Sequence, residues 1–246
     1  MKITNCFWEK RNLNSEVVEI TVEPHDLFSE FDHQISSNYS YLVVKVPVNM
    51  PEFIFGLSAL GFTMIELQMD MSVKLKDFDY EEKLLKWVAP HVRFCQVKSY
   101  QEMNEMLNMI SPGMFSTDRI SLDPEYGIEV GCKRYINWIS DEFDRDSSKL
   151  IWMIYKGTKV GFMMYKDGIS SMRGLLGGLF KEFQEMGLGL LTPCSLPLYV
   201  KQENLPVKKI MADISSNNAP VWDLYEHFGY KATNPHYVFI KHINKL

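Results

Sequence analysis

Two adjacent glycines, Gly177 and Gly178, sit inside what otherwise reads as a strand, Gly174 to Lys181. Two more, Gly187 and Gly189, follow in the run Gln184-Glu185-Met186-Gly187-Leu188-Gly189 just ahead of a helix. Glycine weakens a strand, so an internal pair marks a bulge or a place where another chain or a ligand approaches the backbone. Glycines before a helix let successive N–H groups turn inward, and the helix N-terminus adds partial positive charge. Such a loop holds a pyrophosphate without a basic side chain, or it is a flexible turn between strand and helix.

The rest of the chain alternates strand and helix signals. Tyr41 to Val46 is a short β-branched strand closed by Pro47. Met50 to Leu60 carries Phe53, Ile54, Leu57 and Leu60 at helical spacing and ends at Gly61, and Phe62 to Leu75 alternates as a long strand. Lys76 to Lys86, followed by Pro90, reads as a connector between two domains, 1–90 and 91–246. In the second, Ser99 and Glu102 form a capping box ahead of the helical face Met103, Met106, Leu107 and Ile110. Ser111 to Gly127 is loop-like, and Ile128, Cys132, Tyr135, Ile139 and Phe143 mark another amphipathic helix. Leu150 to Tyr155 and Lys159 to Tyr165 are strands joined by Lys156-Gly157-Thr158, and Asp167-Gly168 predicts a type I′ hairpin. Val207 to Ile214, a helix from Ala219 to Phe228 and a strand from Tyr237 to Lys241 complete an α/β chain with a mostly antiparallel sheet in its second half. A weak internal repeat runs through it: helix, Leu60-Gly61-Phe62, strand echoes helix, Phe228-Gly229-Tyr230, strand.

Composition narrows the function classes. Lys and Arg number 26 against 31 Asp and Glu, a formal net charge of −5, and nucleic-acid binding rewards a basic face. The longest uncharged run, Met186 to Val200, contains Pro193 and Pro197 and falls short of the roughly 20 apolar residues of a spanning helix. Met1 to Cys6 lacks the apolar stretch of a signal peptide. Cys6, Cys95, Cys132 and Cys194 form no CxxC pair, which argues against a metal site or a disulfide framework and for a reduced, cytoplasmic protein. No nucleic-acid, membrane or metal partner is expected.

The second informative stretch runs from Ile214 through Asn218, Val221, Leu224 and Tyr225 to Gly229-Tyr230. Together with Gln184, Gly187 and Gly189 it resembles the GNAT superfamily of acetyl-CoA-dependent N-acetyltransferases. That family carries Q/R-x-x-G-x-G/A and, one helix and one strand later, N-x-x-A-x-x-L-Y-x-x-x-G-F; Val221 stands where alanine is usual. The resemblance implies a GNAT-like catalytic domain, 91–246, preceded by a smaller partial GNAT-like domain, 1–90, without the cofactor motif. It implies that backbone amides of Glu185, Met186, Gly187, Leu188, Gly189 and Leu190 hold the pyrophosphate of coenzyme A, with Gln184 in the same motif. Leu179, Phe180 and Lys181 would pair with the pantetheine arm, and Gly177-Gly178 would splay the neighbouring strands. Asn218 would sit by the pantetheine or cap its helix. Tyr225 would protonate the departing thiolate as general acid, or it is a core tyrosine beside Val221, Leu224 and Phe228. Pro197 predicts a kink or restart in the helix after the loop. No general base stands out among Glu182, Glu185, His227 and His236.

The whole-chain layout is similar to the two-domain bacterial nucleotide-sugar acetyltransferases typified by dTDP-fucosamine acetyltransferase. The similar pieces are Phe7-Trp8-Glu9, Leu42 to Asp70 and Phe115-Ser116-Thr117-Asp118-Arg119. That resemblance implies a small-molecule acceptor, a dTDP-amino sugar, bound by Asp118, Arg119 and Tyr126, with Asp123 alongside, unless this is an ordinary polar loop; related enzymes pair, so a homodimer is expected. The alternatives are acetylation of another small amine or a protein amino group, and a non-catalytic coenzyme A-binding module.

Overall fold

The computed structural model describes residues 1–31 and 39–243. In chain order its elements are β1 (Lys2–Asn5), α1 (Lys10–Leu13), β2 (Val17–Thr21), α2 (Phe28–Phe31), β3 (Tyr41–Pro47), α3 (Pro51–Ala59), β4 (Thr63–Lys74), α4 (Lys83–Val88), β5 (Val92–Gln96), α5 (Tyr100–Met109), α6 (Arg119–Leu122), α7 (Gly127–Asp144), β6 (Lys149–Tyr155), β7 (Thr158–Asp167), β8 (Ser171–Leu179), α8 (Leu191–Gln202), β9 (Lys209–Ser215), α9 (Ala219–His227) and β10 (Lys231–His242). Among the described residues ten strands form one mixed sheet in the order β1-β2-β3-β10-β4-β9-β8-β7-β6-β5.

The internal repeat is structural. β3 and β9 are each 7 residues, α3 and α9 each 9, and β4 and β10 each 12. Both helices carry proline in the first turn, where the missing N–H costs nothing. Both are followed by a left-handed glycine, Gly61 at φ 80° and Gly229 at φ 77°, a conformation open to glycine without Cβ strain. The aromatic residue after each glycine is buried.

Each unit is a β-α-β crossover that leaves a slot one strand wide, and the other unit fills it. β10 lies antiparallel between β3 and β4, and β4 lies antiparallel between β10 and β9. Residue 90 therefore falls in the chain between α4 and β5 but not in a break of the sheet. The expected connector is packed rather than free. Phe78 and Leu85 are buried in the same core as α8 and β9, and Phe78 stacks on Phe228 at 5.7 Å.

Helices cover both faces. On one, α3 packs on Leu42, Val44, Val46 and Phe239, while α8 and α9 cover Met69, Met71 and Ile210. On the other, α5 and α7 cover Trp152, Phe162 and Met164, and Ile120 of α6 packs on Tyr41, Val43 and Val238. Each fully buried large apolar side chain contributes ~1.5–3 kcal/mol. The Ser99–Glu102 capping box forms as the sequence predicts. The type I′ geometry does not fall at Asp167-Gly168; it falls at Lys156 (φ 49°) and Gly157 (φ 84°), between the paired residues Tyr155 and Thr158.

The predicted break at Pro197 is absent: α8 is continuous. Proline at 197 removes the N–H that would reach the carbonyl of Pro193, and the Tyr230 hydroxyl donates to that carbonyl instead, at 2.8 Å. The Tyr80 hydroxyl donates to the carbonyl of Pro197 at 3.2 Å. The aromatic residue that closes the second repeat unit thus repairs the helix under it. Tyr230→Phe should lower stability by about 1–3 kcal/mol, the cost of leaving a buried carbonyl unpaired. In a Pro197→Ala background, where a backbone N–H returns, urea unfolding should show less than half that loss. Equal losses in both backgrounds would refute the repair.

Candidate functional site

β8 and β9 pair in parallel only over Ser171–Gly174 and Lys209–Ala212, although β8 continues to Leu179 and β9 to Ser215. Parallel strands that stop pairing midway leave backbone donors and acceptors facing an open wedge. The register against β7 skips Leu175, a bulge at the point of divergence. The splay therefore begins at Leu175 rather than at Gly177-Gly178. Gly177 serves close approach, since a Cβ there would lie 2.9 Å from the Phe162 carbonyl oxygen, whereas one on Gly178 would make ordinary contact with Met114 at 3.5 Å and Phe115 at 3.7 Å.

A groove of about 1140 Å³ runs through the wedge and opens on both faces of the sheet. On the α8–α9 face it is lined by Leu179, Gln184, Gly189, Thr192, Asn218 and Tyr225. The Gln184 amide donates to the Leu179 carbonyl at 3.2 Å, tying the loop to the end of β8. Gly187 adopts φ 72°. Among the described residues no acceptor takes the N–H of Gly187, Leu188, Gly189 or Leu190, whereas that of Met186 donates to the Phe183 carbonyl. Four successive free amides precede the 12-residue helix α8, an arrangement suited to an anion. Phe180 is buried against Trp152 and Phe162, its N–H bonded to the Val160 carbonyl, and Lys181 lies in a short 3-10 turn beyond the end of β8. Neither lines the groove, nor do Glu185, Met186, Gly187, Leu188 and Leu190; of the loop, Gln184 and Gly189 do.

Asn218 occupies the N-cap of α9, where its backbone carbonyl accepts from Val221 and Trp222, but its side chain makes no capping bond. Tyr225 is half-buried, its ring edge-on to Tyr230 at 4.6 Å. Its hydroxyl has no hydrogen-bond partner among the described residues. Burial, with Cys194 and Asp213 nearby, holds the phenol well above its ordinary pKa, so it keeps its proton at neutral pH.

The opposite mouth is polar. Glu66 and Gln68 of β4, Asp118, Arg119, Arg134 and His236 line it. Arg134 Nε donates to Glu9 Oε1 at 2.6 Å, while Arg119 stands off at 3.8 Å from Glu9 and 3.9 Å from Glu19. Arg119 Nε is buried with no partner. Asp118 is committed to the chain: it accepts from the Ile120 amide at 2.9 Å and the Ser121 hydroxyl at 2.7 Å. Tyr126 lies outside the groove, its ring against Tyr41 and His242 and its hydroxyl 3.2 Å from that of Ser15. Asp123 is buried beside it, accepting from the Tyr41 hydroxyl and paired with His242. Glu182, Glu185 and His227 are exposed and outside the groove. The sequence reading missed Glu66, Gln68 and Arg134. For Glu66 and Gln68 the signal was a polar line, Glu66-Gln68-Asp70, along an otherwise apolar alternating strand; Arg134, on α7, had none.

No protein-family model and no curated protein matches the sequence. The fold does match solved structures. A GCN5-related N-acetyltransferase from Sphaerobacter thermophilus superposes with a TM-score of 0.60 at 9% identity, covering 99% of this chain and 76% of the other. A tandem GNAT protein from the clavulanic acid biosynthesis pathway matches with a TM-score of 0.56 at 11% identity over 94% of this chain and 76% of its own. The glucosamine N-acetyltransferase region of a fungal multi-domain GH3 β-N-acetylglucosaminidase matches with a TM-score of 0.61 at 14% identity, over 98% of this chain and 31% of that one. The described helices include none long and apolar enough to cross a membrane. The chain has the GNAT fold, with a partial unit of the same kind ahead of the unit that carries the open wedge.

Proposed function

We propose that this protein is an acyl-CoA N-acetyltransferase that moves the acetyl group of acetyl-CoA to a primary amine on a nucleotide-linked amino sugar. The observation that carries the reading is the wedge between β8 and β9, with Gly189 of a loop whose Gly187 to Leu190 amides have no acceptor among the described residues at one end and an unbonded, protonated phenol on its flank. The amides of Gly187 to Leu190 would hold the pyrophosphate; the amide of Met186 is already used and drops out of the set. The unpaired edge of β8 up to Leu179 would bond the pantetheine arm, with Asn218 beside it. Acetyl transfer needs a neutral amine to attack the thioester carbon and a proton for the sulfur that leaves. Tyr225 supplies that proton, and an ordinary thiol pKa of about 8.5 makes the demand modest.

Residues 91–246 form the catalytic unit in this reading, and residues 1–90 a partial unit that completes the sheet. The amino-sugar acceptor draws support from the polar mouth, lined by Arg119 and Arg134, whose guanidinium groups suit an acceptor oxygen or phosphate. It is consistent with the fold shared with a region named for glucosamine acetylation. Asp118 then acts by holding α6 in place, and Tyr126 drops from the acceptor set.

Calorimetry and turnover test the reading. A Cβ on Gly189 would lie 3.7 Å from Leu224, so the fold has room for a side chain there. Gly189→Val should weaken acetyl-CoA binding at least tenfold, ~1.4 kcal/mol; unchanged affinity in a folded variant removes the loop assignment. Tyr225→Phe should lower kcat by ~10²–10⁴ at nearly unchanged acetyl-CoA affinity. Full turnover with lowered stability would make Tyr225 a core residue instead.

A further inference from the structure

On the face of the sheet that α7 covers, the groove has an apolar, largely aromatic wall. Met114 and Phe115 come from the loop before α6, and Tyr135 and Trp138 from α7. All four are half-buried. The rings of Phe115 and Tyr135 lie 4.8 Å apart between centres, and those of Tyr135 and Trp138 6.3 Å. The wall adjoins the wedge, because Met114 and Phe115 stand directly over Gly178 of β8. At its other side the Arg134 guanidinium lies 5.7 Å from the centre of the Tyr135 ring, so the wall leads from the wedge to the charged end of the mouth.

The wall is held in place from outside the groove. The Ser121 hydroxyl donates to the Phe115 carbonyl at 2.9 Å, and the hydroxyl of Ser215, at the end of β9, donates to the Thr117 carbonyl at 3.1 Å. Helical spacing puts Tyr135 on the face of α7 that carries Cys132 and Ile139 into the core. Its ring is flanked by Phe115 and Arg134, but its hydroxyl has no hydrogen-bond partner among the described residues. The sealed side-chain polar atoms left without a partner there are Glu66 Oε2, Ser111 Oγ, Arg119 Nε and Trp152 Nε1. The Tyr135 hydroxyl is not one of them, so it is open to the groove. Burial, reinforced by Asp118 and opposed by Arg134, holds this phenol well above its ordinary range, and it is a neutral donor at pH 7. An enclosed tyrosine ordinarily finds a partner for its hydroxyl. An apolar surface with one oriented polar group is the form of a small-molecule site.

We propose that Phe115 and Tyr135 hold the amine-bearing ring of the acceptor, Phe115 against its apolar C–H face and the Tyr135 hydroxyl on a ring hydroxyl, so that this wall selects a cyclic, hydroxylated amine. An amino sugar has that chemistry. The use of the site in catalysis rests on the acetyltransferase reading above. The ring that carries the amine must bring it to the thioester in the wedge, and Phe115 borders β8 at that point. A phosphate attached to the same sugar then extends towards Arg134 and Arg119. Tyr135 is a specificity-determining residue in this scheme and takes no part in proton transfer. An amine without ring hydroxyls would displace water from the Tyr135 hydroxyl and leave it unpaired. That penalty is how a site built for a hydroxyl rejects a substrate that lacks one.

Glucosamine and cyclohexylamine, six-membered rings that carry an amine with and without hydroxyls, are the probes. Tyr135→Phe keeps the ring and removes only the hydroxyl. With glucosamine as acceptor its kcat/KM should fall roughly tenfold, mainly through KM, the worth of one hydrogen bond. With cyclohexylamine it should stay within about twofold of the wild type, at unchanged acetyl-CoA affinity. An equal fall with both amines, or no fall with glucosamine, overturns the proposal. A second measurement needs no turnover. In saturation-transfer NMR with coenzyme A in place of acetyl-CoA, irradiating the aromatic protons of the protein should give signal on the ring protons of glucosamine. Phe115→Ala should remove most of that signal. No signal with the wild type, or equal signal with a folded Phe115→Ala, overturns the proposal as well. Failure of the wild type to bind acetyl-CoA removes the acetyltransferase reading instead, and the same NMR measurement without coenzyme A still decides whether the wall holds an amino sugar.

Discussion

The main-chain pairing of β10 between β3 and β4, and of β4 between β10 and β9, is the constraint on which the rest of the structure depends. A β-α-β crossover that skips one strand position leaves two rows of unpaired N–H and C=O groups, a cost no buried sheet can leave unmet. Here two such units of matching element lengths satisfy one another. Neither half can complete its own sheet, so the chain is expected to unfold as one cooperative body despite its repeat.

That exchange also decides where chemistry can occur. Because β4 fills the slot beside β9, the wedge between β8 and β9 is the place where the described sheet opens, and it opens with different chemistry on its two faces. One side offers free amides at a helix start, an uncapped Asn218 side chain and a protonated phenol. The other offers buried charges held by a network reaching back to Glu9 near the N-terminus. A thioester and an amine approaching from opposite faces would meet in the gap, with bulk water displaced by both. Covering each face with its own helices, α8 and α9 against α6 and α7, keeps the two mouths separate.

Local signals were read correctly from the sequence where local physics sets the outcome. The Ser99–Glu102 capping box, the helix ends at Gly61 and Gly229, and the alternation of Phe62 to Leu75 each depend on a few neighbouring residues. Long-range choices were not legible. Nothing within Tyr237 to Lys241 says that it pairs with residues some two hundred positions earlier, and the strand in fact begins at Lys231. The helix-breaking reading of Pro197 was sound local chemistry, overturned by a hydroxyl from Tyr230 that only tertiary structure brings there. The same holds for the I′ turn, where Lys156-Gly157 took the geometry expected of Asp167-Gly168. At the site, Gln184, Gly189, Asn218, Tyr225 and Arg119 converge on one groove, while Tyr126 and Asp123 are drawn into a separate cluster with Tyr41 and His242. Glu66 was visible as a polar residue in an alternating strand, but which face of that strand borders the groove is fixed by helices far away in sequence.

The central claim is that one wedge, in the second unit alone, binds acetyl-CoA, while the first unit lends it a strand. The first unit places Met50 and Leu57 where the second has Asn218 and Tyr225, and no glycine loop precedes it. An isothermal titration of the full chain with acetyl-CoA tests this most directly. The account predicts saturation at one molecule per chain; saturation at two per chain, or no binding at all, would contradict it.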